Sequence, residues 1–197
     1  YKTIQFAIDR ANNDDLILVA DGTYRENINF GGRHVRVSSY YLIDQKDIHI
    51  TSTIIDGGGY GSVVTFSKGE NQNAGLLGLT VQNGYAHGNN SPGYYGGGIL
   101  IENSSPKLLD LIVKNNKANY RGGGIYIKNG SPLLIHVTVS ANQVVYPYGE
   151  GGGIYLSQSE SIIRDSKIMF NSSNYNGGGL FLGYLAAPDI QRVDILN

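Results

Sequence analysis

Four short stretches in the middle and later part of the chain share one pattern of apolar positions. Ile99, Ile125, Ile154 and Leu180 are each followed two residues later by Ile101, Ile127, Leu156 or Leu182. Between the members of each pair stands Leu100, Tyr126, Tyr155 or Phe181. Alternation with a period of two predicts a strand that sends two side chains inward and one outward. A glycine triplet opens every copy, at Gly96, Gly122, Gly151 and Gly177, so successive copies begin 26, 29 and 26 residues apart. Twenty positions after each triplet begins comes Asn116, Asn142, Asn171 or Asn197. Ser105-Pro106 and Ser131-Pro132 end the first two strands, and a second apolar segment follows, as in "LLDLIVKNN" and "LLIHVTVSAN". The longer copy carries its extra residues in "QVVYPYGE", where a turn can absorb them.

A repeat of this length with short strands and no helix predicts one coil of a parallel β-solenoid, whose inward face is buried only by stacking on its neighbours. Equivalent side chains then pile up about 4.8 Å apart. The asparagines become an inward ladder in which each amide donates to the next, satisfying groups that burial would leave unpaired. Glycine suits a corner where coils press backbone on backbone, because it lacks a Cβ and admits positive φ. A phosphate-cradling glycine loop needs a helix after the glycines, and here a strand follows. Tyr94, Tyr120 and Tyr175 stand at one offset before three triplets, with Tyr148 displaced by one. They are expected to form a structural stack bracing the glycine corner.

The earlier chain reads as a looser version of the same plan. "HVRVSSYYL", "DIHITSTIIDGGG", "SVVTF" and "GLLGLTVQNG" each alternate or end in turn residues. The opening differs: Ile4, Ala7, Ile8 and Ala11 fall at i, i+3, i+4 and i+7, with Thr3 as N-cap. The reading is therefore one domain over residues 1–197, with a cap helix within 1–14, irregular coils over 15–95 and regular repeats over 96–197. The helix covers the first coil's open edge. No matching cap is expected at the other end, and Tyr1 is not a Met, so a piece of something longer is anticipated. Its C-terminal edge would meet further coils or another subunit end to end.

Composition narrows the classes. Gly is 28 of 197 and Tyr is 15, with no Trp, which suits short strands and frequent turns; 41% apolar content excludes a flexible linker. A formal charge of −1 without a Lys/Arg stripe argues against a nucleic-acid partner or an anionic membrane surface. Apolar runs such as Leu16–Ala20 are too short for membrane insertion. Absence of Cys removes disulfide and thiol chemistry.

The helix followed by "DDLILVADGTYRENINF" resembles the opening segment of the right-handed parallel β-helix superfamily, the pectate-lyase-like fold. The units "GGGI…VKNN", "GGGI…VSAN" and "GGGI…IMFN" are similar to the GGA(I/L/V) and FxxN repeats of polymorphic outer-membrane proteins, which are surface adhesins. They differ by Gly for Ala and by Val or Ile for Phe. The resemblance implies an all-β, right-handed parallel β-helix of about six to seven coils with an N-terminal helical cap. It says little of activity, because the fold hosts lyases, hydrolases, esterases and adhesins.

The sequence motifs that the resemblance would carry for polygalacturonase-like, pectin-esterase-like or pectate-lyase-like catalysis do not occur. One weaker set remains. Asp44 and Asp47 flank Lys46, and Asp56 follows, so carboxylates near a lysine could hold Ca²⁺ and supply a base for elimination on an acidic polysaccharide; otherwise they form a solvated loop. His34, His49, His87 and His136 lack metal-ligand spacing. Arg121 and Glu150 precede successive triplets and are expected to stack as a surface ion pair. The stripe Leu100, Tyr126, Tyr155, Phe181 is expected to lie outward in register. Either it is an exposed ridge that contacts sugar rings or a subunit, or loops such as Tyr85–Tyr95 and "VVYPYGE" cover it. The leading expectation is a non-catalytic extracellular or cell-surface module with a structural, adhesive or filament-forming role. The alternatives are a polysaccharide lyase and a carbohydrate-binding module.

Overall fold

The structure is a computed structural model and describes residues 1–88 and 93–196. The chain winds through about six coils of a right-handed parallel β-helix. Three sheets run along the solenoid, of twelve, six and four strands. In the six-stranded sheet Ile28–Asn29, Val64–Phe66, Ile99–Glu102, Ile125–Lys128, Ile154–Ser157 and Leu180–Leu182 stack in order. Ile99, Ile125, Ile154 and Leu180 are direct partners, as are Ile101, Ile127, Leu156 and Leu182. The coil before residue 96 falls into the same register, with Val64 beside Ile99 and Phe66 beside Ile101. These side chains, with Leu76, Leu108, Leu134 and Ile163 from the twelve-stranded sheet, form one continuous core.

Corners recur at fixed places because left-handed backbone recurs there. The first glycine of every triplet has φ between 61° and 66°. Asn103, Asn129 and Gln158 turn the chain at the next corner, and Asp110, His136 and Asp165 bend it at a third, with φ between 50° and 54°. Asn and Asp tolerate this conformation best after Gly.

The other two glycines of the triplet are fixed by space. A Cβ on Gly97 would stand 2.0 Å from the Lys117 carbonyl oxygen, and one on Gly98 would stand 2.8 Å from Nδ2 of Asn116. Gly124 faces Asn142 and Gly153 faces Asn171 in the same way. Asn116, Asn142 and Asn171 are buried. Nδ2 of Asn116 donates to Oδ1 of Asn142 at 3.0 Å, and Nδ2 of Asn142 donates to Oδ1 of Asn171 at 3.0 Å. Each acceptor oxygen also takes the backbone N–H of the asparagine one coil earlier, at 2.9 Å. Asn197 lies outside the described residues.

The first coil is capped by α1 (Ile4–Arg10), which turns Ile4, Ala7 and Ile8 into the core. Thr3 Oγ1 accepts from the Phe6 N–H at 3.2 Å. Glu26 accepts from the N–H groups of Ile4 and Gln5, and Arg33 donates to the carbonyls of Asp9 and Ala11. Both ends of the short helix are thereby satisfied by the first coil.

One stretch departs from the strand reading. Arg36–Ser39 and Thr53–Asp56 are strands, but between them α2 (Tyr41–Asp44) and α3 (Ile48–Ser52) form a helical hairpin. The alternation of Ile48 and Ile50 is misleading, since Ile48–Ser52 folds as a helix, and Ile43 and Ile48 stay exposed. The hairpin is held by Thr80 Oγ1 donating to the Ile50 carbonyl and by Ser39 Oγ donating to the Gly78 carbonyl.

Replacing Asn142 with Ala removes the acceptor of two buried donors on Asn116. Each orphaned donor costs roughly 1–3 kcal/mol, so urea denaturation should show a loss of about 2–4 kcal/mol with the fold retained.

Candidate functional site

Two aromatic columns climb the regular coils, one buried for most of its length and the other partly open to solvent. Leu100, Tyr126, Tyr155 and Phe181 are in register on the face away from the core. They do not form an exposed ridge. Leu100, Tyr126 and Tyr155 are buried, Tyr126 to 2% exposure, in a cluster of their own with Tyr95 and Phe181 against it. Tyr95 stacks on Tyr126 at 4.7 Å, Tyr126 on Tyr155 at 5.3 Å and Tyr155 on Phe181 at 5.5 Å, all with rings within 14° of parallel. Coil spacing brings the rings to stacking distance, so each ring covers the next. Burial first, then the Glu102 charge, pushes the Tyr126 hydroxyl well above its ordinary pKa.

Arg121 adds to this cover. Its Cζ lies 4.9 Å from the Tyr155 ring centroid, while its Nε donates to Glu150 at 3.0 Å. The two residues that precede successive triplets therefore do pair.

The second column is the solvent-facing one. Tyr94 and Tyr120 meet edge to face at 5.2 Å, and Tyr120 meets Tyr146 at 4.3 Å. Tyr175 does not stack on Tyr120; it meets Tyr148 at 6.0 Å, and these two are 62% and 74% exposed. The reason is the insertion. Tyr120, Tyr146 and Tyr175 each stand four residues after a ladder asparagine, and the extra residues of the longer copy fall between Tyr146 and the next triplet. Counting back from the glycines selected Tyr148; counting forward from the asparagines identifies Tyr146. The result is a row of five tyrosines along one edge of the solenoid, fixed by strands Lys117–Ala118, Gln143–Val144 and Ser172–Ser173.

The acidic set proposed for calcium or a base does not converge. Asp44 bonds the Lys46 ammonium at 2.9 Å and reaches His49. Asp56 accepts from Gln82, Asn83 and the Gly58 N–H. Burial raises its pKa, but these donors outweigh burial and leave it below the ordinary carboxylate value. Asp47 begins α3 without a side-chain capping bond. Among the described residues no group of three or more His, Asp or Glu is arranged to hold a metal. His34 accepts from the Asn71 N–H, His87 packs on Tyr85 and His136 faces Asp110 at 3.2 Å.

His49 has a partner that sequence spacing did not indicate. Its Nδ1 is 2.8 Å from Asp21 and its Nε2 is 3.4 Å from Asp44, so it ties the hairpin to the first coil. Only the imidazolium can donate to both carboxylates at once. The Asp21 hydrogen bond leads in raising the His49 pKa above its ordinary value.

Comparison with known proteins follows this geometry. Residues 110–128 match the Chlamydia polymorphic membrane protein (Chlamydia_PMP) repeat. The segment runs from the Asp110 bend through Asn116 and the Gly122 triplet. No curated protein matches the chain. Among solved structures, a pectin methylesterase in complex with a hexasaccharide superimposes with a TM-score of 0.64 at 13% identity, over 100% of this chain and 62% of that one. Pectin methylesterase from Yersinia enterocolitica gives a TM-score of 0.52 at 15% identity, over 88% of this chain and 65% of that one. The chain thus spans less than two thirds of either neighbour. At such identities the likeness defines the class by fold: a right-handed parallel β-helix.

Two outcomes follow. Tyr126→Ala should cost about 3–5 kcal/mol, as for a buried aromatic, whereas Tyr148→Ala and Tyr175→Ala should stay within about 0.5 kcal/mol in urea denaturation. Because the folded His49 pKa is raised, its latch is fully present below about pH 6.5, the ordinary imidazole value. It is lost as pH rises through the folded value. Amide exchange in residues 41–52, corrected for intrinsic rate, should therefore quicken across that window, and His49→Gln should abolish the dependence.

Proposed function

We propose that this chain is a non-catalytic β-helix module of an extracellular or cell-surface protein, and that it adheres to glycans through its tyrosine row. The observation that carries the reading is the exposure of Tyr146, Tyr148 and Tyr175 on a solenoid that buries Tyr126 and Tyr155 of the parallel column. Exposed aromatic rings with hydroxyl tips offer flat apolar faces to sugar rings and polar groups to their hydroxyls. Their mounting on rigid strands lowers the ordering cost of binding. The polymorphic membrane protein repeat match supports a surface location, and a hexasaccharide-bound β-helix neighbour supports a carbohydrate ligand. The last described coil leaves Leu182, Ile195 and Leu196 exposed, which suits contact with a further coil or subunit of the same protein.

The test is titration calorimetry against a panel of neutral and acidic polysaccharides. Tyr120→Ser combined with Tyr146→Ser should weaken the best ligand by at least about tenfold, as loss of aromatic anchors does, with the urea midpoint little changed. Undiminished binding by that variant would remove the tyrosine row from the function. Release of ultraviolet-absorbing unsaturated product from a polyuronate would establish the lyase alternative instead.

A further inference from the structure

The twelve-stranded sheet has an outer face that the proposed adhesive role does not use. Along it Leu77, Leu109 and Ile135 are direct partners on successive coils, half-buried and pointing away from the core. In the column beside them Arg36, Gly75 and Lys107 are partners in order. Gly75 can carry no side chain there, because a Cβ would stand 2.1 Å from the Lys107 carbonyl oxygen. It leaves a notch of about 130 Å³ in the sheet face, walled by Leu16, Leu77 and Leu109. Arg36 and Lys107 stand on either side of the notch, and no salt bridge among the described residues engages them. Asp110, beside Leu109, is engaged by His136 and Tyr41, and Asp15, beside Leu16, accepts from the Asn12 N–H.

The chain itself shows how such a surface is covered. Helix α2 crosses the start of the stripe, and its Leu42 forms a further wall of the notch. Coils repeat about every 4.8 Å, and a helix advances about 5.4 Å per turn. Anchors at i, i+3 or i+4 and i+7 of a helix laid along the solenoid axis would therefore meet successive coils at Leu77, Leu109 and Ile135, in the helix-in-groove manner. We infer that this face docks an amphipathic helix of another protein, one that sets an apolar side chain in the Gly75 notch and carboxylates beside Arg36 and Lys107. Two uncompensated cations around an apolar notch favour an acidic partner and disfavour a basic one.

The probe is a synthetic fifteen-residue helix with Leu at i, i+4 and i+7 and Glu on both flanks, titrated into the isotopically labelled chain. Its twin carries Lys in place of Glu. The Glu peptide should shift the amides of Leu77, Lys107 and Leu109, weaken with salt, and bind at least about tenfold less tightly to the Arg36→Glu, Lys107→Glu double variant. The Lys peptide should bind that variant better than it binds the parent chain, a rescue that a misfolded variant could not give. Tyr120→Ser should leave all of this unchanged. The inference is overturned if the Glu peptide fails to bind or if both peptides bind the parent equally. It is also overturned if the same amides respond instead to protein concentration or to phosphatidylglycerol vesicles.

Discussion

Everything in this solenoid rests on the approach between the third glycine of each triplet and the asparagine that closes the same coil. Gly98, Gly124 and Gly153 stand so close to the amides of Asn116, Asn142 and Asn171 that a methyl group would displace them. This contact acts across the coil. The hydrogen bonds from amide to amide act at right angles to it, along the axis. The two constraints need each other. A side chain at Gly124 would push Asn142 off the ladder, and a smaller residue at 142 would leave Asn116 donors buried without an acceptor. The eighteen-residue spacing of Gly98 and Asn116, of Gly124 and Asn142 and of Gly153 and Asn171 is thus the sequence trace of one interaction.

That trace made the regular coils legible. Direct pairing of Ile99, Ile125, Ile154 and Leu180 follows from period-two alternation counted from the glycines, and the capping helix follows from Thr3 and the spacing of Ile4, Ala7 and Ile8. The features that escaped share a cause: each depends on what lies beside a residue in space. Tyr126 alternates like an outward side chain and does point away from the core, yet its own neighbours in the column bury it. Ile48 and Ile50 alternate like a strand, but they lie in the helix Ile48–Ser52. His49 lies 28 residues from Asp21, and no local spacing marks that partnership.

The two aromatic columns show how one repeat produces opposite environments. Leu100, Tyr126, Tyr155 and Phe181 sit within strands, where register forces their rings into parallel stacks about one coil apart. Tyr94, Tyr120 and Tyr146 sit in the turns before the triplets, where backbone direction changes and the rings meet tilted or edge to face. A parallel stack hides its faces. A tilted row keeps part of every ring in water. The same residue type is therefore structural in one column and available in the other, and the difference is set by whether the backbone beneath it is pleated or turning.

A stacked architecture also decides where variation can be tolerated. Any change inside the coil is felt by the rungs on either side, since Asn142 answers both to Asn116 and to Asn171. Loops that leave the solenoid lie outside this coupling. The three extra residues of the longer copy and the helical hairpin both leave the solenoid outward, and the ladder and core register continue past them unbroken. The surfaces proposed for binding are accordingly built from what the ladder leaves free: turn residues at the glycine corner, and a sheet face where Gly75 opens a notch that the interior does not need.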